Sequence, residues 1–548
     1  MSAKRPVIHG EVLTKHWVVD LILDMAGYRS EFDLADRLAV EPSFGRGGFL
    51  FPMVERLLES ARLHDRPLED CQRSIVAIDL QESNARNVET LLHHNLCWSG
   101  VNPKVASKLT RSWIACDDYL LTERGSSADF VIGNPPYIRY DDLEVELVNA
   151  YRERWPTMSG RSDLYIGFIE RGLRSLKTDG ALAYICADRW MRNQYGKNLR
   201  RLIEDEFSVS AVLSMHDVDA FEERVSAYPA ITVIRNAPQA GAIAATASAA
   251  FDESSVLDFQ TWFTDGRSAP HSDARFKAAE LPHWFSGGGL WPAGEPEQLA
   301  MLEDLNDRFD PLQDEATGTK VGIGIATGND KVYVTTDGDA VEPDRMLPLV
   351  VRRDTNSGTV EWHDNYLINP WDSDGSLVDL NEHPKLAAFF AQHEESLRGR
   401  HIGKKNPKNW YRTIDKVDTR LIGRPKLLFP DMARRANPTL DEGDLYPHHN
   451  LYWVTSDKWD LRVLGGLLLS KVTDAFIGAY CVRMRGGTMR FQAQYLRQIR
   501  VPPMDSISAP VASELADAFE RRDINRATDL AAAVYGIEHY RDLLERIQ

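Results

Sequence analysis

Cysteine is scarce in this chain. There are five in 548 residues (Cys71, Cys97, Cys116, Cys186 and Cys481), with no close pair at zinc-ligand or redox spacing. That excludes a disulfide-stapled or zinc-ribbon design and suits thiols kept reduced in a cytoplasm. Long apolar runs are missing too, since none approaches the roughly 20 residues that a membrane span needs. The N-terminus, Met1-Ser2-Ala3-Lys4-Arg5-Pro6, lacks a signal-peptide core. The reading is a cytoplasmic protein with no membrane partner. None of the 17 lysines has Asp or Glu two positions before it, so the Asp/Glu-x-Lys core of a metal-dependent nuclease is absent, and no metal site is expected. Positive charge is also in deficit: 64 basic against 81 acidic residues leave a formal net charge of −17.

What is present is the composition of a globular protein, 43% hydrophobic and 26% charged, and too long for a single core. Short runs rich in Val, Ile and Ala recur at 38–40, 75–78, 130–132, 181–186, 209–213 and 230–234, with helical patterns at 51–63, 164–176 and 196–206 between them. Strands alternating with helices predict an α/β, doubly wound, mostly parallel sheet with its ligands at the carboxyl ends of the strands. This Rossmann-like domain is assigned to residues 1–236. The Ala-rich stretch that follows reads as a linker, 237–256. A mixed α+β domain over 257–505 and a helical segment over 506–548 complete the chain. Overall acidity does not rule out a nucleic-acid partner, which needs only a local basic footprint. Between 398 and 435 twelve Lys/Arg face three Asp, interleaved with Trp410, Tyr411 and Phe429, the pattern of a binding face.

Glu41-Pro42-Ser43-Phe44-Gly45-Arg46-Gly47-Gly48-Phe49 follows the first strand and enters a helix. The glycines allow a tight turn and a close backbone approach to a ligand. The pattern is not Gly-x-Gly-x-x-Gly, and the next strand-end acid, Asp79, lies well beyond the position about 20 residues on that a dinucleotide fingerprint uses. Glu41 would also repel a diphosphate. It suits a ligand that presents an ammonium and a sulfonium. Glu-Pro-x-x-Gly-x-Gly-x-Phe resembles the first motif of amino-methyltransferases that use S-adenosylmethionine. The resemblance implies that Glu41, Pro42, Ser43, Gly45 and Gly47 hold the methionine part, Asp79 the ribose hydroxyls and Asp117 the adenine amine of the cofactor. Asp118, beside it, reads as a cap or a solvent-facing acid. Gly10-Glu11-Val12-Leu13-Thr14 resembles the motif that closes over the methionine carboxylate, with Lys15 where family members usually carry proline.

The strand over 129–132 ends abruptly in Gly133-Asn134-Pro135-Pro136-Tyr137. Two prolines stiffen that turn and remove two backbone donors, leaving carbonyls that only accept. An aromatic amine is a poor nucleophile because its lone pair is delocalised. Accepting both its protons, through the Asn134 side-chain oxygen and the Pro135 carbonyl, favours a pyramidal nitrogen aimed at the methyl group. Tyr137 offers a face to a base taken out of the duplex stack. A second aromatic wall is expected from Phe221, as in the Taq-like adenine methyltransferases, with Tyr228 as the alternative. The tetrapeptide alone leaves RNA and protein glutamine open as substrates, since enzymes acting on these carry it too.

The order of the motifs, the long region after them, and Val321-Gly322-Ile323-Gly324-Ile325-Ala326-Thr327-Gly328-Asn329, Lys426-Leu427-Leu428-Phe429-Pro430-Asp431 and Arg485-Gly486-Gly487 are similar to the gamma group of DNA adenine-N6 methyltransferases, the Taq-like and Eco57-like modification methylases. The resemblance implies a DNA-recognition domain after the catalytic one. It also implies base flipping, double-stranded DNA as substrate, and a separate cognate restriction endonuclease acting on the same site. The chain starts at the carboxylate motif, so no N-terminal nuclease is expected, and a monomer is. The alternative is the methylating and recognition subunit of a larger defence assembly. His448-His449-Asn450 reads as a polar loop able to touch DNA.

Overall fold

The computed structural model describes residues 12–223, 228–265, 267, 269–285, 289–481 and 488–547. Gly10, Glu11, Arg485, Gly486 and Gly487, all named above, lie outside that set. The chain divides into two compact units, Met1–Ala300 and Met301–Gln548.

The first unit is built on one ten-stranded sheet. Its strands are β1 (Ala39–Glu41), β2 (Ile75–Asp79), β3 (Ile114–Cys116), β4 (Ala128–Gly133), β5 (Leu176–Ala187), β6 (Ser208–Ser214), β7 (Pro229–Arg235), β8 (Ala242–Ala247), β9 (His271–Ser272) and β10 (Phe276–Leu281). The spatial order is β3-β2-β1-β4-β5-β7-β6-β8-β10-β9. From β3 to β5 every pairing is parallel, and β7 is the antiparallel strand slotted between β5 and β6. Strands covered on both faces read as continuous apolar runs instead of alternating ones. In β1, β4 and β5, Ala39, Ile132, Ala183 and Ile185 enter one core, while Val40, Val131, Leu182 and Tyr184 are buried on the other face. Helix α1 (His16–Ala26) buries Val18, Val19, Leu21, Ile22, Leu23 and Met25 and stops at Gly27, whose φ of 85° permits the left-handed cap.

The expected exit from this domain at residue 237 is instead more sheet. β8 pairs parallel with β6, and β10 then pairs antiparallel with β8. Alanine has low strand propensity and gives no apolar alternation, so Ala242-Ile243-Ala244-Ala245 carries little local signal. Burial against the neighbouring strands overrides that weakness.

The second unit is mixed α+β. One four-stranded antiparallel sheet runs Lys320–Ile323, Leu451–Thr455, Lys426–Pro430, Thr439–Asp441, and a mixed four-stranded sheet runs Val334–Thr335, Tyr366–Ile368, Met346–Val350, Tyr446–Pro447, with its last pair parallel. The C-terminal helices Ala509–Glu520 and Ile524–Tyr535 are not a separate appendage. They pack on Leu461–Leu469, where a Cβ at Gly466 would come within 2.4 Å of the Leu515 carbonyl oxygen, so the backbones themselves are in contact. Among the described residues no single helix is long and apolar enough to cross a membrane.

Candidate active site

Three neighbouring parallel strands deliver their carboxyl ends to one cleft. β1 ends in Glu41, β2 in Asp79, and β4 runs straight into Asn134. The cleft is partly open to solvent, with a volume of about 60 Å³. Thr14, Glu41, Ser43, Gly45, Asp79, Asn134 and Pro136 line it, together with Val12, Leu13, Phe44, Gly48, Phe49, Gln81 and Asn84. Sequence reasoning missed Gln81 and Asn84. The available signal was a run of polar residues directly after a strand-end acid, at the start of the helix Glu82–Trp98.

The glycine turn is held by the strand beside it. Gly45 N–H donates to Asp79 Oδ2 at 2.8 Å, and Gln81 N–H and Asn84 Nδ2 donate to Asp79 Oδ1 at 2.8 and 3.2 Å. Gly47 sits at φ 88°, and a Cβ there would come within 2.6 Å of the Phe51 ring on the helix Leu50–Leu63. Only glycine satisfies both demands. Pro42 and Gly47 shape this turn without lining the cleft.

Glu41 is 1% exposed, and its Oε2 has no hydrogen-bond partner. Burial pushes its carboxyl well above the ordinary carboxylate range. The Asp79 charge pushes the same way, against a backbone hydrogen bond from Phe49. A buried, underserved acid on a cleft wall is stabilised by a cation, and that chemistry fits the ammonium and sulfonium of S-adenosylmethionine. Asp117 departs from expectation. Its amide donates to the Asp79 carbonyl, but its side chain is 41% exposed, 4.0 Å from Arg124, and does not line the cleft. Asp118 accepts from Leu120 N–H and from the Tyr151 hydroxyl, which is a capping role.

Asn134 is oriented by the N-terminal segment. Its Nδ2 donates to the Val12 carbonyl at 3.0 Å and to Thr14 Oγ1 at 3.2 Å, leaving the buried Oδ1 without a donor. Thr14 is therefore committed to Asn134 as well as to the cleft wall. It also forms an antiparallel bridge with Phe221, flanked by Lys15 N–H to the Ala220 carbonyl and Glu222 N–H to the Leu13 carbonyl. That bridge brings Phe221 to Tyr137, edge to face, with ring centroids 6.5 Å apart. The Tyr137 hydroxyl is buried and unpartnered, and burial raises its pKa well above the usual value. Tyr228 is 43% exposed and its ring lies against His216.

In the second unit several motif residues turn out to be structural. Phe429, counted toward a binding face, is 0% exposed, and Lys426 is buried in an ion pair with Asp441 at 2.5 Å. His448 meets an acid that sequence distance had hidden: its Nε2 lies 3.1 Å from Asp330 Oδ2.

Comparison with known proteins agrees with this geometry. Residues 68–221 match the family described as Eco57I restriction-modification methylase. The type II methyltransferase M.PaeR7I of Pseudomonas aeruginosa is 40% identical over 97% of this chain and 92% of its own. M.XhoI of Xanthomonas vasicola is 37% identical over 99% and 100% respectively. A likeness of fold extends to the type IIL restriction-modification enzyme MmeI, with a TM-score of 0.52 at 10% identity over 95% of this chain and 74% of that one. The sheet is of the α/β, Rossmann-like kind, with the cleft at the carboxyl ends of its parallel strands. The chain belongs to the type II methyltransferases, the DNA methyltransferases of restriction-modification systems.

Proposed function

We propose that the chain methylates the N6 amine of adenine in double-stranded DNA, with the base flipped between Tyr137 and Phe221. The observation that carries this reading is the Asn134 side chain. Its donor end is already spent on Val12 and Thr14, so its buried oxygen is left to accept from an amine. The Pro135 carbonyl is the second acceptor, and the prolines keep the turn from supplying a competing donor. S-adenosylmethionine supplies an electrophilic methyl group on a sulfonium. Glu41 stabilises the positive charge of the cofactor, the glycine turn and Ser43 admit its methionine part, and Asp79 takes its ribose hydroxyls. Thr14 and the aromatic pair fix the geometry of the amine, so the protein acts by positioning and electrostatics. The second unit is read as the target-recognition region. The biological setting is a monomer in the cytoplasm that protects sites also read by a separate endonuclease.

The test is methyl transfer from labelled S-adenosylmethionine to duplex DNA, followed by nucleoside analysis. N6-methyladenine is the expected product. A label only on cytosine, RNA or protein would refute the reading. Replacing Phe221 by Ala should weaken capture of a flipped base by about 1–3 kcal/mol, the worth of one base–aromatic stack, whereas Tyr228→Ala should not. Equal losses would remove Phe221 from the site.

A further inference from the structure

The basic stretch of the second unit looks uniform in sequence, yet its charges have very different fates. Arg398 pairs with Glu394, Arg420 with Asp418, Arg424 with Asp457, Lys426 with Asp441 and Arg435 with Asp474. Arg412 and Lys416 each lie 5.3 Å from the Trp371 ring centroid. Arg400 is an internal strut. It donates to the carbonyls of Leu397, Thr327, Trp410 and Arg412 and to the Tyr333 hydroxyl. Lys404, Lys405 and Lys408 are different, as is Arg434 farther along the chain: all four are exposed, and no carboxylate or ring of the described residues engages them.

These three lysines share one short excursion of the chain. Arg400 closes its base by gripping Trp410 and Arg412, and the helix His401–Lys405 and the turn Pro407–Asn409 form the rest. From 399 to 414 there is no Asp or Glu. Arg400 Nη1 also holds the Thr327 carbonyl at 3.0 Å. Next to it Gly328, at φ 77°, packs so close that a Cβ would come within 2.9 Å of Ile414. The loop is thus fastened to the glycine-rich turn while its outer surface carries uncompensated positive charge. Charges already neutralised by a neighbouring carboxylate contribute little to counterion release from DNA. Exposed, unpaired ones drive it.

We propose that the loop between Arg400 and Arg412 is a phosphate-binding element for duplex DNA, with Lys404, Lys405 and Lys408 contacting the backbone and Arg400 serving as its positioning residue. This rests on the duplex-DNA reading above. The probe is a random-sequence DNA duplex of about 30 base pairs, because sequence-independent binding is governed by the phosphate term. The measurement is fluorescence anisotropy across a salt series with the full chain. The triple variant Lys404→Gln, Lys405→Gln, Lys408→Gln should bind more weakly and flatten the slope of log K against log[salt] by about 2.7, three contacts at about 0.9 each. Its melting temperature should match the parent's, since the replaced side chains are exposed and unpaired. The double variant Arg420→Gln, Arg424→Gln removes two cations that carboxylates already neutralise and should change the slope by less than one. An unchanged slope in the triple variant, or equal flattening in the arginine control, overturns the proposal. Preferential binding of an RNA duplex through the same lysines would overturn it as well. A parent protein whose binding shows no salt dependence would refute the duplex-DNA reading itself, and that result is separable because it needs no variant.

Discussion

The cleft motifs of the first unit and the Arg400 and Lys426 positions of the second treat their polar groups in opposite ways. In the first, the signature residues are left unfinished: Glu41 Oε2, Asn134 Oδ1 and the Tyr137 hydroxyl are buried without partners. In the second, the most prominent motif cations are finished. Arg400 spends its donors on carbonyls and a hydroxyl, and Lys426 is satisfied by Asp441 and the Leu445 carbonyl. A buried polar atom without a partner costs free energy unless something else supplies the missing bond. Glu41 and Asn134 leave such atoms on the wall of the cleft, where a ligand can supply the missing bond, whereas Arg400 and Lys426 have their donors satisfied within the protein.

The sharpest way to break that comparison is to remove Asn134. With Asn134→Ala, methyl transfer should fall by about 10²–10³-fold, the loss seen when one preorganised electrostatic partner is removed. The Kd for S-adenosylmethionine should stay within a few-fold of the parent's. Single-turnover kinetics with calorimetric binding separate the two, and a variant that loses only cofactor affinity would reverse the assignment.

On the architectural side, Lys426→Met strands Asp441 as a buried charge and should cost about 3–5 kcal/mol in urea unfolding. The double change Lys426→Met, Asp441→Leu should recover most of it, because a packed apolar pair replaces an ion pair at little loss. A single variant as stable as the parent would mean that the motif's lysine is not a structural residue.

Glu41 gives the smallest effect and the most specific sign. Its carboxyl is raised above the ordinary range by burial, so it gains a proton at a pH where an exposed glutamate is still charged. The neutral acid attracts a cation less than the carboxylate does. Affinity for S-adenosylmethionine should therefore rise as pH climbs through the raised value. Glu41→Gln should bind about tenfold or more weakly, the worth of a charge-assisted hydrogen bond, and should lose this pH dependence. Titration calorimetry between pH 5 and pH 7.5 measures both, and an unchanged profile in the variant would clear Glu41 of the role.

The chemistry of the cleft was largely legible in the chain itself. Residues 75–78 and 130–132 announce buried parallel strands through unbroken apolar runs. Glu41, Asp79 and Asn134 stand where such strands end, and paired prolines after Asn134 have a local meaning that needs no tertiary context. What could not be read were pairings across long sequence distances. β8 joins a sheet despite alanine's poor propensity, because its partners bury it. Asp117, expected at the adenine amine of the cofactor, has its side chain 4.0 Å from Arg124.

Composition, periodicity and a few stiff motifs therefore determined the α/β class and set Glu41, Asp79 and Asn134 at the ends of neighbouring strands. Those signals act over a handful of neighbouring residues, where backbone sterics and burial periodicity leave a direct trace. Tertiary structure alone decided that Thr14 orients Asn134 and bridges to Phe221, and which of twelve cations find a partner and which remain exposed without one. A charge has no fixed meaning until its partner is known, and partners such as Lys426 and Asp441, or His448 and Asp330, are brought together only by folding.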